Sequence, residues 1–301
     1  MSFRPMLSAD CKKPEQLKFP LLVSPKLDGI RCLIIDGIPT SRTLKHLPNV
    51  HIRTVLSELP IEGLDGELLV GDPTDPLAWN SSQSGIMSRD GTPDFIFHVF
   101  DDFTDTALPF KDRLASARER ANKLPHFVRP VQHAEVRTLE ELMQWEHNYV
   151  SVGYEGIMLR SLDGKYKYGR STEKEGGLIK MKRFHDAEAE IVGFVERMHN
   201  ENEAKVNALG LTERSSHKGN KTPMDTLGAF ECSILASALD SGLPAEAVKF
   251  EVGTGMDDAF RAHVWRNRDA FLGKNLKFKF QQVTNTMKPR LPVYLGIRED
   301  E

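Results

Sequence analysis

Lys26 stands in Ser24-Pro25-Lys26-Leu27-Asp28-Gly29-Ile30-Arg31, a K-x-D-G-x-R pattern. An apolar run from Phe19 to Val23 precedes it, and Leu33-Ile34-Ile35 follows it. The spacing displays a lysine on a turn between two expected strands, with a carboxylate two residues on and a guanidinium five on. That arrangement suits an amine nucleophile attacking a nucleotide phosphate. A lysine attacks only when neutral, so burial or a neighbouring cation must lower its pKa. Arg31 can supply that positive charge and also neutralise a phosphate oxygen. Gly29 permits a tight turn and close approach of a ligand. Taken alone, the segment also fits a surface hairpin with a solvated lysine on an Asp-Gly turn.

More charged residues interrupt apolar strands further along. Ser41-Arg42 follows the second expected strand, and Leu64-Asp65-Gly66-Glu67-Leu68 sets carboxylates on an apolar strand. Phe97-His98-Val99-Phe100-Asp101 puts an aromatic at a strand end, and Glu155-Gly156-Ile157-Met158 gives another strand carboxylate. In Leu178-Ile179-Lys180-Met181-Lys182 the period of two sends both lysines to one face. A charge on an apolar strand is costly unless it is paired or functional, so this set points to a shared chemistry. Asp65 is expected to be a turn or pairing residue, and Asp101 and Asp102 to cap or solvate a loop. His46, His51 and His98 show no metal-ligand spacing and stay unassigned.

The elements that must position these residues follow from hydrophobic periodicity. Strands are expected at 19–24, 31–36, 64–70, 94–100, 156–161 and 177–182. Helices are expected at 110–124 and, from a capping-box start at Thr138, to about Tyr149. Strands and helices do not alternate regularly enough for a doubly wound parallel sheet, so the first part is read as an α+β domain with antiparallel sheets. From about residue 187 the character changes. Strands at 189–197, 227–235, 247–253, 276–283 and 291–297, with one helix near 257–268, suit a small OB-type barrel. The expected domains are 1–186 and 187–301. Residues 199–224 form a long polar connection inside the second domain, expected to be its most flexible element.

Composition narrows the classes. At 301 residues, 40% hydrophobic and 28% charged, the chain fits an ordinary soluble protein. No apolar run approaches a membrane span and no signal-peptide pattern opens the chain. Its three cysteines form no C-x-x-C, which fits a reducing cytoplasm. The net charge of −3 excludes a global polycation, so nucleic-acid binding needs local basic surface. One stretch, Arg160 to Arg183, holds eight cations and three anions with Tyr166 and Tyr168 interleaved. A second contains Arg214, Lys218 and Lys221.

The order K-x-D-G, D-G-E, aromatic-Asp, E-G and K-x-K resembles the covalent nucleotidyltransferase superfamily of ATP-dependent DNA ligases, RNA ligases and capping enzymes. The segment Arg290-Leu-Pro-Val-Tyr-Leu-Gly-Ile-Arg298-Glu-Asp300 resembles the motif that closes DNA ligase OB domains, and Asn202–His217 is similar to a segment in ligases of T7-like bacteriophages. Two positions depart from the pattern: Glu301 stands where the closing motif ends in lysine, and Ser24 stands at a variable adenine-contacting position. The resemblance implies an ATP-dependent DNA ligase with an adenylation domain and an OB domain. It implies that Lys26 attacks ATP to form lysyl–AMP, that AMP passes to the 5′-phosphate of a nick, and that the 3′-hydroxyl then seals it. Lys180 and Lys182 would neutralise the α-phosphate, Phe100 would stack on adenine, and Glu67 would bind the ribose hydroxyls. Arg31 and Arg42 would contact nucleotide or nick phosphate, and Arg290 and Arg298 the pyrophosphate. Glu155, with Asp28, would hold Mg²⁺ or Mn²⁺. Arg214, Lys218 and Lys221 would touch the phosphates of nicked double-stranded DNA. The expected state is a monomer with no membrane partner, in the cytoplasm of a bacterial host if phage-encoded. An RNA ligase or GTP-using capping enzyme, and a non-catalytic OB protein, are the competing readings.

Overall fold

The structure, a computed structural model, describes residues 3–284 and 286–298. Asp300 and Glu301, with the departure at the closing motif, lie outside the described residues. The chain divides into two compact units, Met1–Lys182 and Arg183–Glu301.

The first unit begins with strands β1 (Ala9–Asp10), β2 (Leu21–Pro25), β3 (Ile30–Ile35) and β4 (Ile38–Thr40). Then come α1 (Val50–Ser57), β5 (Leu64–Val70), α2 (Ala78–Met87), β6 (Phe95–Asp102) and α3 (Phe110–Ala121). It ends with β7 (Val128–Pro130), β8 (Ala134–Val136), α4 (Leu139–Ser151), β9 (Gly156–Ser161) and β10 (Ile179–Lys182). The strands form two five-stranded sheets, ordered β1-β10-β9-β2-β8 and β4-β3-β5-β6-β7. Among the described residues of this unit, only the strand pairs β1–β10 and β6–β7 are parallel. The two strands that flank Lys26, β2 and β3, belong to different sheets. The K-x-D-G segment is therefore a crossover between sheets, and the surface-hairpin alternative is excluded.

Alternation along the strands explains which face is buried. Cys32 and Ile34 of β3, Leu68 of β5, and Phe97 and Val99 of β6 pack against Ile52 and Leu56 of α1, Ile86 of α2 and Ala117 of α3. In the other sheet Leu21, Val23, Ile157, Leu159 and Ile179 pack on Leu142 of α4. The Thr138 hydroxyl caps α4 by accepting from the Glu141 amide at 3.2 Å. Glu141 itself accepts from the Arg137 amide at 2.7 Å, so the expected reciprocal box is displaced by one residue. Helices α1 and α2 were not expected. Each is short, and α2 buries Ala78, Ser82 and Ile86, a stripe of mostly small side chains that gives little hydrophobic signal.

An ion-pair network joins the two sheets. Asp101 of β6, fully buried, accepts from Arg113 of α3 at 2.9 Å and pairs with Arg160 of β9 at 2.7 Å. Asp101 is thus no loop cap, contrary to the expectation from sequence. Its neighbour Asp102 does cap, accepting from the Thr104 amide at 3.0 Å, but it also pairs with Arg120 at 2.9 Å.

In the second unit the order is β11 (His185–Asn200), β12 (Ala204–Val206), β13 (Thr212–Arg214), β14 (Lys221–Leu235) and β15 (Ala247–Val252). The helices α5 (Asp258–Arg266) and α6 (Arg268–Phe271) follow, then β16 (Asn275–Phe280) and β17 (Val293–Ile297). Five strands form one antiparallel sheet, β15-β14-β11-β16-β17, curled around Phe230, Phe250, Val264 and Phe278. Among the described residues its edges meet at a single bridge, Thr254 to Val293, where the Tyr294 amide donates to the Thr254 carbonyl at 2.9 Å. This is an OB-like sheet tied at one point rather than closed by a continuous ladder. The segment 199–224 is not the plain loop expected from sequence. It continues the β11–β14 ribbon to Asn200 and Lys221 and carries the β12–β13 hairpin. Asn202 pins it, donating to the carbonyls of Ser215 at 3.0 Å and His217 at 2.9 Å. Such a ribbon, solvated on both faces, lacks the alternation by which strands are found. Among the described residues no helix is long and apolar enough to cross a membrane.

Removing a buried carboxylate strands the two guanidiniums that it pairs. Asp101→Asn should cost about 3–5 kcal/mol of unfolding free energy, measured by urea denaturation of the whole chain. A loss below about 1 kcal/mol would mean that the network contributes no more than surface pairs do.

Candidate active site

Lys26 follows directly on β2, and its amide donates to the Gly156 carbonyl at 2.9 Å, continuing the β2–β9 ladder past Pro25. Glu155 immediately precedes β9, and Lys182 ends β10 opposite Gly156. Three neighbouring strand ends therefore bring Lys26, Glu155 and Lys182 together. The ammonium of Lys26 pairs with Glu155 Oε2, and that of Lys182 with Glu155 Oε1. One carboxylate so binds two ammoniums, and the cluster carries a net positive charge. Burial works to raise the Glu155 carboxyl, but Lys26 and Lys182 outweigh it and hold the carboxyl below its usual range. Burial and the nearby Lys26 charge lower Lys182, against the pull of Glu155.

Two glycines make this geometry possible. Gly156 has φ 153°, and a Cβ there would collide with the Met181 carbonyl of β10. Gly29 lies against β5, where a Cβ would collide with the Leu68 carbonyl and the Leu69 side chain. The crossover that carries Lys26 is thus seated between β9, through the Lys26 amide, and β5, through Gly29.

The second sheet supplies the other half. Arg31 of β3 and Glu67 of β5 are register partners, as are Glu67 and His98 of β6. Glu67 is half-buried, and its carboxyl is pushed up to about 7. Burial is the main cause; Arg31 and Lys26 pull the value back, while Asp28 and Asp65 push it further up. Arg31, expected to supply positive charge, is held in an ion pair. Its Nη2 donates to Asp65 Oδ2 at 2.6 Å, and Asp65, fully buried, also accepts from the Tyr166 hydroxyl at 2.9 Å. The Arg31 guanidinium lies 4.7 Å from the centre of the Phe100 ring. Asp65 is a pairing residue, as expected.

Lys180, two residues before Lys182, takes a different partner, Asp10 of β1, at 3.2 Å. Arg42 is exposed on the 41–45 turn between β4 and α1. Asp28 is half-buried in the crossover, two residues after Lys26, and the remaining sequence candidates lie in the second unit. Arg290 is half-buried, its amide donating to the Gln282 carbonyl at 2.8 Å, and Arg298 pairs with Glu188 at 2.7 Å. Arg214 donates to the Asn202 carbonyl within the β12–β13 hairpin, Lys218 is exposed, and Lys221 is half-buried. Arg113 was missed from sequence, and Arg160 and Tyr166, read there as part of a basic surface stretch, are buried and with Arg113 hold Asp101 and Asp65. An arginine inside the apolar run of β9 was the available signal.

A family model for the ATP dependent DNA ligase domain matches residues 5–182, and one for the DNA ligase OB-like domain matches 218–298. The chain belongs to the ATP-dependent DNA ligase family. A solved Chlorella virus DNA ligase-adenylate is 31% identical, with 99% of each chain covered and a TM-score of 0.55. A Lig E DNA ligase structure shares the fold, with a TM-score of 0.74 at 23% identity over 99% of this chain and 100% of that one. The DNA ligase of African swine fever virus is 26% identical over 137 residues, 44% of this chain. That match spans only about a third of the curated relative's length, 32%.

The raised Glu67 carboxyl has a stability consequence. Between about pH 4.5 and 7 the unfolded chain ionises this group while the fold keeps it protonated, so stability falls as pH rises through that window. The loss attributable to Glu67 should total up to about 3 kcal/mol, from roughly 1.4 kcal/mol per pKa unit. Glu67→Gln should remove that slope in urea titrations at pH 4.5–8. Parallel curves for the two proteins would show that Glu67 ionises normally.

Proposed function

We propose that this chain is an ATP-dependent DNA ligase that seals 5′-phosphate/3′-hydroxyl nicks in duplex DNA through lysyl–AMP and DNA-adenylate intermediates. The observation that carries this is the Lys26–Glu155–Lys182 cluster at three adjacent strand ends. The Chlorella virus relative, itself a ligase-adenylate, supports the covalent step. Lys26 supplies the amine. One proton must leave Nζ before attack, and Glu155 Oε2 is the acceptor already hydrogen-bonded to it. The nitrogen then bonds to the α-phosphorus of ATP, the bond from that phosphorus to the bridging oxygen breaks, and pyrophosphate leaves. Lys182 neutralises charge developing on the α-phosphate oxygens, with Lys180 beside it. In the second step the N–P bond breaks as AMP passes to the 5′-phosphate of the nick. The 3′-hydroxyl then attacks that phosphate and AMP departs.

The other assignments follow the same reading. Phe100 presents a ring face to adenine, and Glu67 binds the ribose. Arg31, fixed by Asp65, and Arg42 meet phosphate or nucleotide, and Arg290 and Arg298 take pyrophosphate. Among the described residues no group of three His, Cys, Asp or Glu side chains could hold a metal. The available donors, Glu155 and Asp28, fit an ion such as Mg²⁺ or Mn²⁺ that takes one or two carboxylates and fills its shell with phosphate oxygens and water. Such an ion would offset phosphate charge. The chain acts as a monomer and binds DNA by phosphate contacts from the 199–224 hairpin.

Intact mass after incubation with ATP tests the central step. Wild-type protein should gain one AMP, and Lys26→Ala should gain none while still sealing pre-adenylylated nicks. Adduct formation by Lys26→Ala at wild-type yield would refute the assignment. GTP in place of ATP, and a nicked RNA duplex in place of DNA, separate the capping-enzyme and RNA-ligase alternatives.

The hairpin has its own test, which leaves Arg214 in place because it holds Asn202. Lys218→Ala/Lys221→Ala should weaken nick binding and lower the slope of log K against log salt by about 2. AMP loading should be unchanged. A wild-type slope would remove these lysines from the DNA surface.

A further inference from the structure

His98 of β6 faces Glu67 directly across the β5–β6 ladder, and Arg31 faces Glu67 from the other side. Residues paired in this way share one face of the sheet. That face is the one turned away from the helices. Phe97 and Val99, on either side of His98, and Leu68, beside Glu67, all enter the helix-packed core. Phe100, two residues along β6, returns to the same face as His98, where Arg31 lies over its ring.

The imidazole Nε2 of His98 is buried and has no hydrogen-bond partner among the described residues. A buried polar nitrogen left unmet costs free energy, so an unpaired one calls for a partner that arrives from elsewhere. Burial first, and Arg129 second, lower the His98 pKa to about 4. The ring is therefore neutral near pH 7, with one donor and one acceptor nitrogen.

We propose that His98 Nε2 hydrogen-bonds a ribose hydroxyl of the ATP that adenylylates Lys26, beside Glu67, and makes the site prefer ribonucleotides to deoxyribonucleotides. This rests on the reading of Lys26 as the adenylylated residue and of Glu67 as the ribose ligand. With the base on Phe100, the sugar falls next to Glu67, and the side chain across the ladder from Glu67 is that of His98. Cross-strand neighbours stand about 4.5–5.5 Å apart at Cβ, a spacing at which two side chains can bond adjacent hydroxyls of one sugar. The assignment gives the orphaned nitrogen its partner.

The experiment is lysyl–AMP formation by the full chain under single-turnover conditions, with ATP, 2′-deoxyATP and 3′-deoxyATP. Wild-type, His98→Ala and His98→Gln proteins are compared at matched melting temperature. Wild-type protein should favour ATP over at least one deoxy analogue. His98→Ala should raise the half-saturating ATP concentration about fivefold, the worth of one neutral hydrogen bond, and leave that analogue unaffected, so the preference collapses. His98→Gln keeps a side-chain donor and acceptor and should recover part of it. Adduct formation with wild-type discrimination in both variants would overturn the assignment of His98 alone. If His98→Ala does not fold, the ratio in His98→Gln decides, because a purely structural histidine predicts no change in it. Absence of any adduct from wild-type protein and ATP would overturn the lysine reading and this inference with it.

Discussion

The ion pair between Arg160 and Asp101 crosses from one sheet of the first unit to the other, and the site depends on it. Lys26, Glu155 and Lys182 hang from the β2-β9-β10 sheet, whereas Arg31, Glu67, His98 and Phe100 belong to the β3-β5-β6 sheet. Apolar packing alone would let two such layers slide, because hydrophobic contact is not directional. A guanidinium and a carboxylate, both almost fully buried, fix direction as well as distance. Arg113 and the Phe110 ring, 3.7 Å from the Arg160 guanidinium, complete the surroundings of the pair. Within the second sheet Asp65 is likewise held by Arg31, and it also accepts from Tyr166.

Glu155 works at the other extreme of the same physics. Its carboxylate carries one negative charge against two positive ones, so the pair of lysines is only half compensated. A site with that imbalance, partly shielded from water, attracts a further anion. Lys180 contributes less to this field because Asp10 already balances it. The two lysines of the K-x-K strand, equivalent by spacing, are thus made different by their partners.

Much of this was legible in the sequence because the strands that bear the site are apolar runs broken by single charges. The stretches 64–70 and 156–161 were read to the residue, and the lysine, glutamates and K-x-K strand stood out for the same reason. What stayed hidden depends on pairing over distance. Arg113 lies in a helix rich in charge, where nothing local distinguishes a buried arginine from a solvated one. Asp101 sits next to a loop, and only its partners 12 and 59 residues away make it a core residue. Arg31 looked available for phosphate because Asp65, 34 residues on, is adjacent only in the folded sheet. The β12–β13 hairpin escaped because a strand wetted on both faces has no alternation to detect.

The placement of Lys26 between β2 and β3 has a mechanical side. The loop is moored at one end to Gly156 in the first sheet and pressed at the other against Leu68 in the second. It has no slack of its own, so any change in the gap between the sheets is passed to the amine. Lys26 is in effect a gauge across that gap. Whatever bridges the layers sets where Nζ stands relative to the second sheet, even from many residues away.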